Sequence, residues 1–328
     1  MYANALLPGY RVCIAVMKAD CPSDIETLST VRDFIRWGAS RMNQAGLHFG
    51  HGTADAIDDA AALVLHALHL PGDLHSEYFS AMLTIEERQT VWQLLMRRVE
   101  ERIPSAYLTG QSWFMGLPFY VDPRVLIPRS PIAELIEHRF SPWLSDPDAV
   151  TGIVDIGTGS GCIGIACAYA FPDAEVDLVD LSTDALEVAQ RNIDEHGLGE
   201  RVRAVHSDLF SALAGRRYDV IVSNPPYVSR EEMAGLPAEY RHEPQMALAC
   251  GEDGLDIVHV LLGQALDFLT EHGVLIIEVG ASEPALRAAY PEVPFTWAEF
   301  ERGGDGVLVM TAEQLREFQD RFDRHSRE

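Results

Sequence analysis

The chain has 328 residues, 47% hydrophobic and 23% charged, the proportions of a soluble globular protein with room for one large domain and a smaller one. Its 50 acidic residues outnumber 25 Lys and Arg for a net charge of −25, a field that repels duplex nucleic acid and favours a basic partner or a small substrate. Five scattered cysteines, odd in number, argue against a disulfide framework. No apolar run approaches the roughly 18 residues of a membrane span, so a cytoplasmic chain without membrane attachment, stable nucleic-acid binding or a metal is expected.

Residues 1–22 carry no clear period and are expected to form a loosely ordered extension. Neither a basic leader nor a cleavage site marks a signal peptide, and Met17 is an alternative start. Over residues 23–105, Leu28, Val31, Ile35 and Met42 share one face of a helix from about Asp24 to Gln44. A second helix spans about Ala54–His69 and stops before Pro71-Gly72; a third opens on the capping-box pair Thr84 and Glu87 and runs along Leu95 and Val99 to about Arg102. These three make a small bundle outside the catalytic sheet, expected to recognise the substrate. His48, His51, His66 and His69 lack partners at metal spacing and read as solvated or core histidines.

Residues 106–130 read as a β-hairpin linker: Trp113-Phe114-Met115, a break at Gly116-Leu117-Pro118, then Phe119-Tyr120-Val121. Ser130-Pro131 is a helix start with Ser as N-cap and Pro at the first helical position. From 131 to 328 a larger domain follows, and from Val150 strand and helix alternate. Strands are expected at Gly152–Ile156, Glu175–Asp180, Arg201–His206, Asp219–Ser223 and Gly273–Val279, with helices at about Cys162–Ala170, Thr183–His196 and Leu255–Leu269. That alternation predicts an α/β fold, a mostly parallel sheet covered on both faces, closed by antiparallel edge strands near Phe295–Phe300 and Gly306–Met310. Cys162 and Cys167 fall in an apolar helix and read as buried thiols.

Asp155-Ile156-Gly157-Thr158-Gly159-Ser160-Gly161 lies between the first of these strands and a helix, where alternate glycines let the chain turn tightly and a ligand approach. Asp180, at the end of the next strand and on the order of 20 residues further on, is placed to meet ribose hydroxyls. Nicotinamide and S-adenosylmethionine sites share this pairing. Asp155 favours the second, because a carboxylate there suits a methionine ammonium and not a pyrophosphate. Asp208 is either an acceptor for an adenine amine or the N-cap of a following helix.

Asn224-Pro225-Pro226-Tyr227 follows a buried strand. Two prolines cannot continue that strand, but they hold the Asn224 side chain and the Pro225 carbonyl outward. Those two oxygens can accept both hydrogens of a planar –NH2 group while the Tyr227 ring covers its face.

Together these segments resemble the class I S-adenosylmethionine-dependent methyltransferases, and within them the protein-glutamine N5-methyltransferases, over about residues 25–310. The resemblance implies a Rossmann-like, seven-stranded sheet with S-adenosyl-L-methionine as cofactor. It carries the cofactor contacts onto Asp155, Gly157, Thr158, Gly159, Ser160, Gly161, Asp180, Leu181, Asp208, Leu209 and Asn224. It carries the glutamine amide onto Asn224, Pro225, Pro226 and Tyr227, with Arg129 either lining the cleft or forming a surface ion pair. Where the release-factor branch often carries Trp, Leu209 offers adenine only backbone and apolar contact. After Ile127-Pro128-Arg129 that branch reads Pro-Asp-Thr-Glu; here the chain reads Ser130-Pro131-Ile132-Ala133-Glu134. Phe49–Thr53, Ala106–Thr109, Tyr240–Pro244 and Gly303–Gly306 resemble instead the branch acting on large-subunit ribosomal protein L-three, which implies that protein, free or early in assembly, as partner. The alternatives are the release-factor glutamine, an adenine-N6 DNA methyltransferase, a ribosomal-RNA guanine methyltransferase and a non-catalytic assembly factor.

Overall fold

A computed structural model describes residues 26–325; the expected extension over 1–22 lies outside them, as do Cys13 and Cys21. Helix α1 spans Val31–Gln44 and begins later than the apolar period suggests, because Thr30 and Asp33 form a reciprocal capping box that fixes the start. Helix α2 (Ala56–Ala67) is capped by Asp55, and α3 (Ile85–Glu101) by the expected Thr84 and Glu87 pair. The three pack around Phe34, Met42, Leu63, Val91 and Leu95. Gly38 is needed at their contact, since a Cβ there would lie 2.8 Å from Leu95. Fully burying each such side chain contributes roughly 1.5–3 kcal/mol.

A short helix α4 (Ser105–Thr109) leads into the hairpin β1 (Gln111–Phe114) and β2 (Leu117–Tyr120). The turn is Met115-Gly116, both at positive φ, rather than the expected Gly116–Pro118; Pro118 sits within β2 opposite Trp113. Helix α5 (Ile132–Glu137) starts one residue later than expected, yet Ser130 does cap it, its hydroxyl accepting from Ile132 N–H at 3.2 Å.

The main sheet comprises β3 (Gly152–Ile156), β4 (Glu175–Asp180), β5 (Val202–His206), β6 (Tyr218–Ser223), β7 (Leu269–Glu278), β8 (Thr296–Trp297) and β9 (Val307–Thr311), in the order β5-β4-β3-β6-β7-β9-β8. Five neighbouring strands are parallel; β9 runs antiparallel between β7 and β8, so β8, shorter than expected, is the edge. Helices α6 (Cys162–Ala170), α7 (Thr183–Glu195), α8 (Arg230–Gly235), α9 (Asp256–Gln264), α10 (Glu283–Ala289) and α11 (Ala312–His325) complete the described chain. Alternate residues feed two cores: Val220, Val222, Val274 and Ile276 face one layer, Ile221, Leu275 and Ile277 the other. This explains why these strands read as unbroken apolar runs. No helix among the described residues is long and apolar enough to cross a membrane. The chain leaves β3 towards β4 and β5 on one side and later returns to β6 on the other. The carboxyl ends of β3 and β6 therefore flank the crevice where such sheets bind ligands.

Candidate active site

The loop after β3 turns on Gly157, Gly159 and Gly161, with φ of 73°, 55° and 83°, a left-handed conformation that strains any side chain. Space in front of Gly157 and Gly159 is open, with no atom within 4 Å of where a Cβ would stand. Gly161 instead caps α6, where a Cβ would stand 3.0 Å from Leu178, and a Cβ on Gly164 would come still closer to the same side chain. The first two glycines thus border open space, whereas the latter two seat the helix on the sheet and lie off the cavity wall.

A cavity of about 350 Å³ opens over this loop. Gly157, Thr158, Gly159, Ser160, Asp180, Leu181, Asp208, Leu209, Asn224, Pro226 and Arg129 line it, joined by Ile257 and by Pro244, Met246 and Ala247 above. Asp180 accepts from Gly159 N–H at 2.9 Å and Ser182 N–H at 2.8 Å, one bond per oxygen, leaving lone pairs for two more donors. Burial raises its carboxyl above the usual range, against these bonds. Asp208 is exposed on the wall, and no helix follows it; Ser207 caps that turn instead, accepting from Ala212 N–H at 2.9 Å. The N-cap reading of Asp208 therefore fails. Leu209 sits at φ 46° with its side chain partly on the apolar core.

Asp155 requires a correction. It is 1% exposed and lies off the cavity wall, beneath the loop, so it does not present a carboxylate there to receive an ammonium. One oxygen accepts from Thr158 Oγ1 at 2.6 Å and Gly164 N–H at 3.0 Å, tying the loop to α6. The other is buried without a partner, and burial, with the Asp180 charge nearby, pushes the carboxyl up to about 7. These features fit a cationic sulfonium nucleoside: open glycines, a strand-end carboxylate for the ribose, a buried acid below and apolar Leu181, Leu209 and Ile257 for the base.

A second cavity, about 270 Å³, adjoins the first and shares Asn224, Arg129, Leu126 and Ala247 with it. Pro225, Tyr227, Tyr240 and Glu278 face only the second. Ser223, just before the clamp, donates to Ile156 O at 2.7 Å and pins the end of β6 to β3. The Asn224 amide makes no hydrogen bond within the described residues and stands between the two spaces. The Tyr227 hydroxyl donates to Glu278 Oε1 at 2.9 Å, and burial raises its pKa.

Arg129 does line the cleft, and its ion pair is internal rather than on the surface. Two bonds of 2.5 and 2.7 Å join it to the fully buried Glu243, and its guanidinium lies 5.4 Å from the Tyr240 ring centre. Burial opposes its charge, and the Glu243 carboxylate more than offsets that. His51, 2% exposed, stands 3.7 Å from Glu243; burial and the Arg129 charge lower it to about 3, so its imidazole is neutral. Four positions without an apparent motif of their own thus shape the site: Glu239, Glu243, Glu278 and Asn192. Glu239 accepts from His48 N–H at 3.0 Å and pairs with Arg102 at 3.0 Å. Asn192 joins the hairpin to the glycine loop through Tyr120 and Ser160. Tyr240–Pro244 carried the only available signal, as a segment without an assigned role. No group of three or more His, Cys, Asp or Glu among the described residues is arranged to hold a metal.

A family model for the methyltransferase small domain matches residues 143–238. The chain is similar to the ribosomal protein uL3 glutamine methyltransferase of Francisella tularensis subsp. tularensis, 47% identical over 92% of this chain and 96% of that one. It is also similar to the protein of the same description from Neisseria meningitidis serogroup B, 50% identical over 88% of this chain and 95% of that one. Among solved structures it is similar to a delta-N METTL16 methyltransferase domain, 20% identical, covering 60% of this chain and 88% of that one, with a TM-score of 0.43. The fold rests on the strand order above and not on that likeness. On these matches over about nine-tenths of its length, the chain belongs to the ribosomal protein uL3 glutamine methyltransferases, S-adenosylmethionine-dependent enzymes.

Proposed function

We propose that this chain methylates the side-chain amide nitrogen of a glutamine in ribosomal protein uL3, and that Asn224–Tyr227 holds that amide. The observation that carries the reading is the position of Asn224 in the wall common to the two cavities, where a group held in one meets a donor held in the other. S-adenosylmethionine, when bound, supplies an electrophilic methyl group and leaves as the neutral thioether. Asp180 would hold its ribose, Leu181 and Leu209 would meet the base, and Gly157 and Gly159 would leave room for the methionine part.

An amide nitrogen is a poor nucleophile because its lone pair is shared with the carbonyl. The Asn224 side-chain oxygen and the Pro225 carbonyl accept its two N–H bonds, fix the nitrogen towards the cofactor cavity, and stabilise the positive charge that develops as the N–C bond forms. The amide then loses one N–H proton to solvent. Tyr227 covers the amide face and, with Pro225 and Tyr240, keeps the site poor in water.

The helical bundle selects the protein substrate in this reading; Tyr78, Met82 and Ile85 are large apolar side chains exposed on it. A net charge of −25 attracts a free basic ribosomal protein and is repelled once RNA surrounds that protein, which places the reaction before or early in subunit assembly, in the cytoplasm. The experiment is competition for labelled methyl between free uL3, release factor, DNA and mature large subunits at matched concentration. Preferential labelling of free uL3, weakening as salt rises, is the expected result; preference for release factor or DNA would replace the substrate, and equal labelling of free and assembled uL3 would remove the timing.

A further inference from the structure

We propose that Glu278 is a positioning residue for this transfer, its carboxylate fixing the Tyr227 ring over the acceptor amide with Ser130 as its second anchor; the proposal rests on the glutamine-methylation reading above. Glu278 ends β7 and is 5% exposed. Each of its oxygens takes one hydroxyl: Tyr227 donates to Oε1 at 2.9 Å and Ser130 to Oε2 at 2.5 Å. The Tyr227 hydroxyl is therefore committed to a buried carboxylate, and its ring serves as a wall rather than as an acid or base.

The rest of the surroundings fix the same ring. Ser282 Oγ donates to the Tyr227 carbonyl at 2.8 Å. Behind the ring stands Gly280, where a Cβ would come within 2.5 Å of it. Gly306 in turn backs Gly280: its carbonyl accepts from Val279 and Gly280 N–H at 2.7 and 3.2 Å, and a Cβ on Gly306 would lie 2.3 Å from Gly280 O. Gly306 thus holds in place the Gly280 backbone against which the ring rests. Among the described residues, the Glu278 carboxylate is what the hydroxyl end bonds.

A carboxamide has one acceptor oxygen, so one of the two hydroxyls must reverse and accept from its NH2 group, and neither bond is then charge-assisted. Glu278→Gln therefore weakens both anchors and reverses one while keeping the size of the side chain. Neither Glu278 nor Tyr227 lines the cofactor cavity, so cofactor affinity reports on folding independently of the clamp. The test is a double-mutant cycle on the full chain with free uL3 and saturating S-adenosylmethionine. Glu278→Gln and Tyr227→Phe should each lower kcat about tenfold or more, leave cofactor Kd within about twofold, and together be no worse than the poorer single variant. Ser130→Thr should retain the rate that Ser130→Ala loses. Losses that multiply in the double variant, or a cofactor Kd that rises in step with the fall in kcat, would overturn the assignment. If Glu278→Gln fails to bind cofactor and unfolds, the cycle of Ser130→Ala with Tyr227→Phe decides by non-additivity in kcat alone, because Ser130 borders the cofactor cavity. Wild-type protein that leaves uL3 glutamine unmodified would defeat the functional reading instead, so the two failures are distinct.

Discussion

The two cavities that meet at Asn224 are built by different means. The cofactor side is made from short stretches of consecutive chain: a glycine loop whose own φ angles open its face, and strand-end acids whose oxygens accept from nearby N–H groups. The acceptor side is made from residues far apart in sequence. Arg129 and Glu243 are 114 positions apart, Ser130 and Glu278 are 148, and His48 and Glu239 are 191. Backbone geometry presets the glycine floor of the first; the walls of the second are held by contacts that the linker and the 238–247 segment make across the fold, although both segments also border the first. Cofactor binding should therefore tolerate changes that abolish transfer.

The largest expected effect tests that separation at its boundary. Asn224→Ala should cost roughly a thousandfold or more in turnover, because it removes an acceptor aimed at the developing charge, while cofactor Kd changes only a few-fold. Titration calorimetry beside single-turnover rates makes the comparison; equal losses in both would assign Asn224 to the cofactor. Next, Glu243→Ala should destabilise the protein by roughly 3 kcal/mol, since it leaves the Arg129 charge in the cleft without its partner. Denaturant unfolding checks this, and a change under about 0.5 kcal/mol would make the pair dispensable.

Asp180→Ala should weaken cofactor binding about tenfold to a hundredfold, as a charged acceptor is lost and two N–H groups are left without it. Turnover at saturating cofactor should remain close to that of the wild type; an unchanged cofactor KM would move the ribose site elsewhere. The smallest effect is on pH dependence. His51 is neutral in the fold with a pKa near 3, against 6.5 for the free side chain, so the unfolded chain takes up its proton first as pH falls. Its share of stability is complete above about pH 6.5 and declines from there towards pH 3, at about 1.4 kcal/mol per unit. His51→Phe should show a shallower fall in Tm across that window; identical slopes would contradict it.

The same comparison governs what the sequence disclosed. Gly152–Ile156 and Cys162–Ala170 were legible residue for residue, since an apolar run ending in alternate glycines leaves few alternatives. The break after β6 was legible for a similar reason: two prolines cannot continue a strand. Glu239 and Glu243 were not, because in so acidic a chain they look like solvated charges, and only the distant Arg98, Arg102 and Arg129 show otherwise. Asp155 misled by residue type, which gave its charge and not its direction. Arg230–Gly235 and Glu283–Ala289 are too short for a helical period, whereas Ala312–His325 carried one in Leu315 and Phe322 that went unread. The bundle also proves less separable than its own core suggests. Deleting it strips His48, Arg98 and Arg102 from Glu239, so lost transfer after truncation does not by itself show lost recognition.

The most direct measurement locates the methyl group. Free uL3 incubated with the enzyme and S-adenosylmethionine carrying a deuterated methyl should yield, by tandem mass spectrometry with electron-based fragmentation, one labelled glutamine side chain, with label absent when Asn224→Ala replaces the wild type. Label on a lysine, an arginine or a chain terminus, or full labelling by the Asn224→Ala variant, would contradict the account.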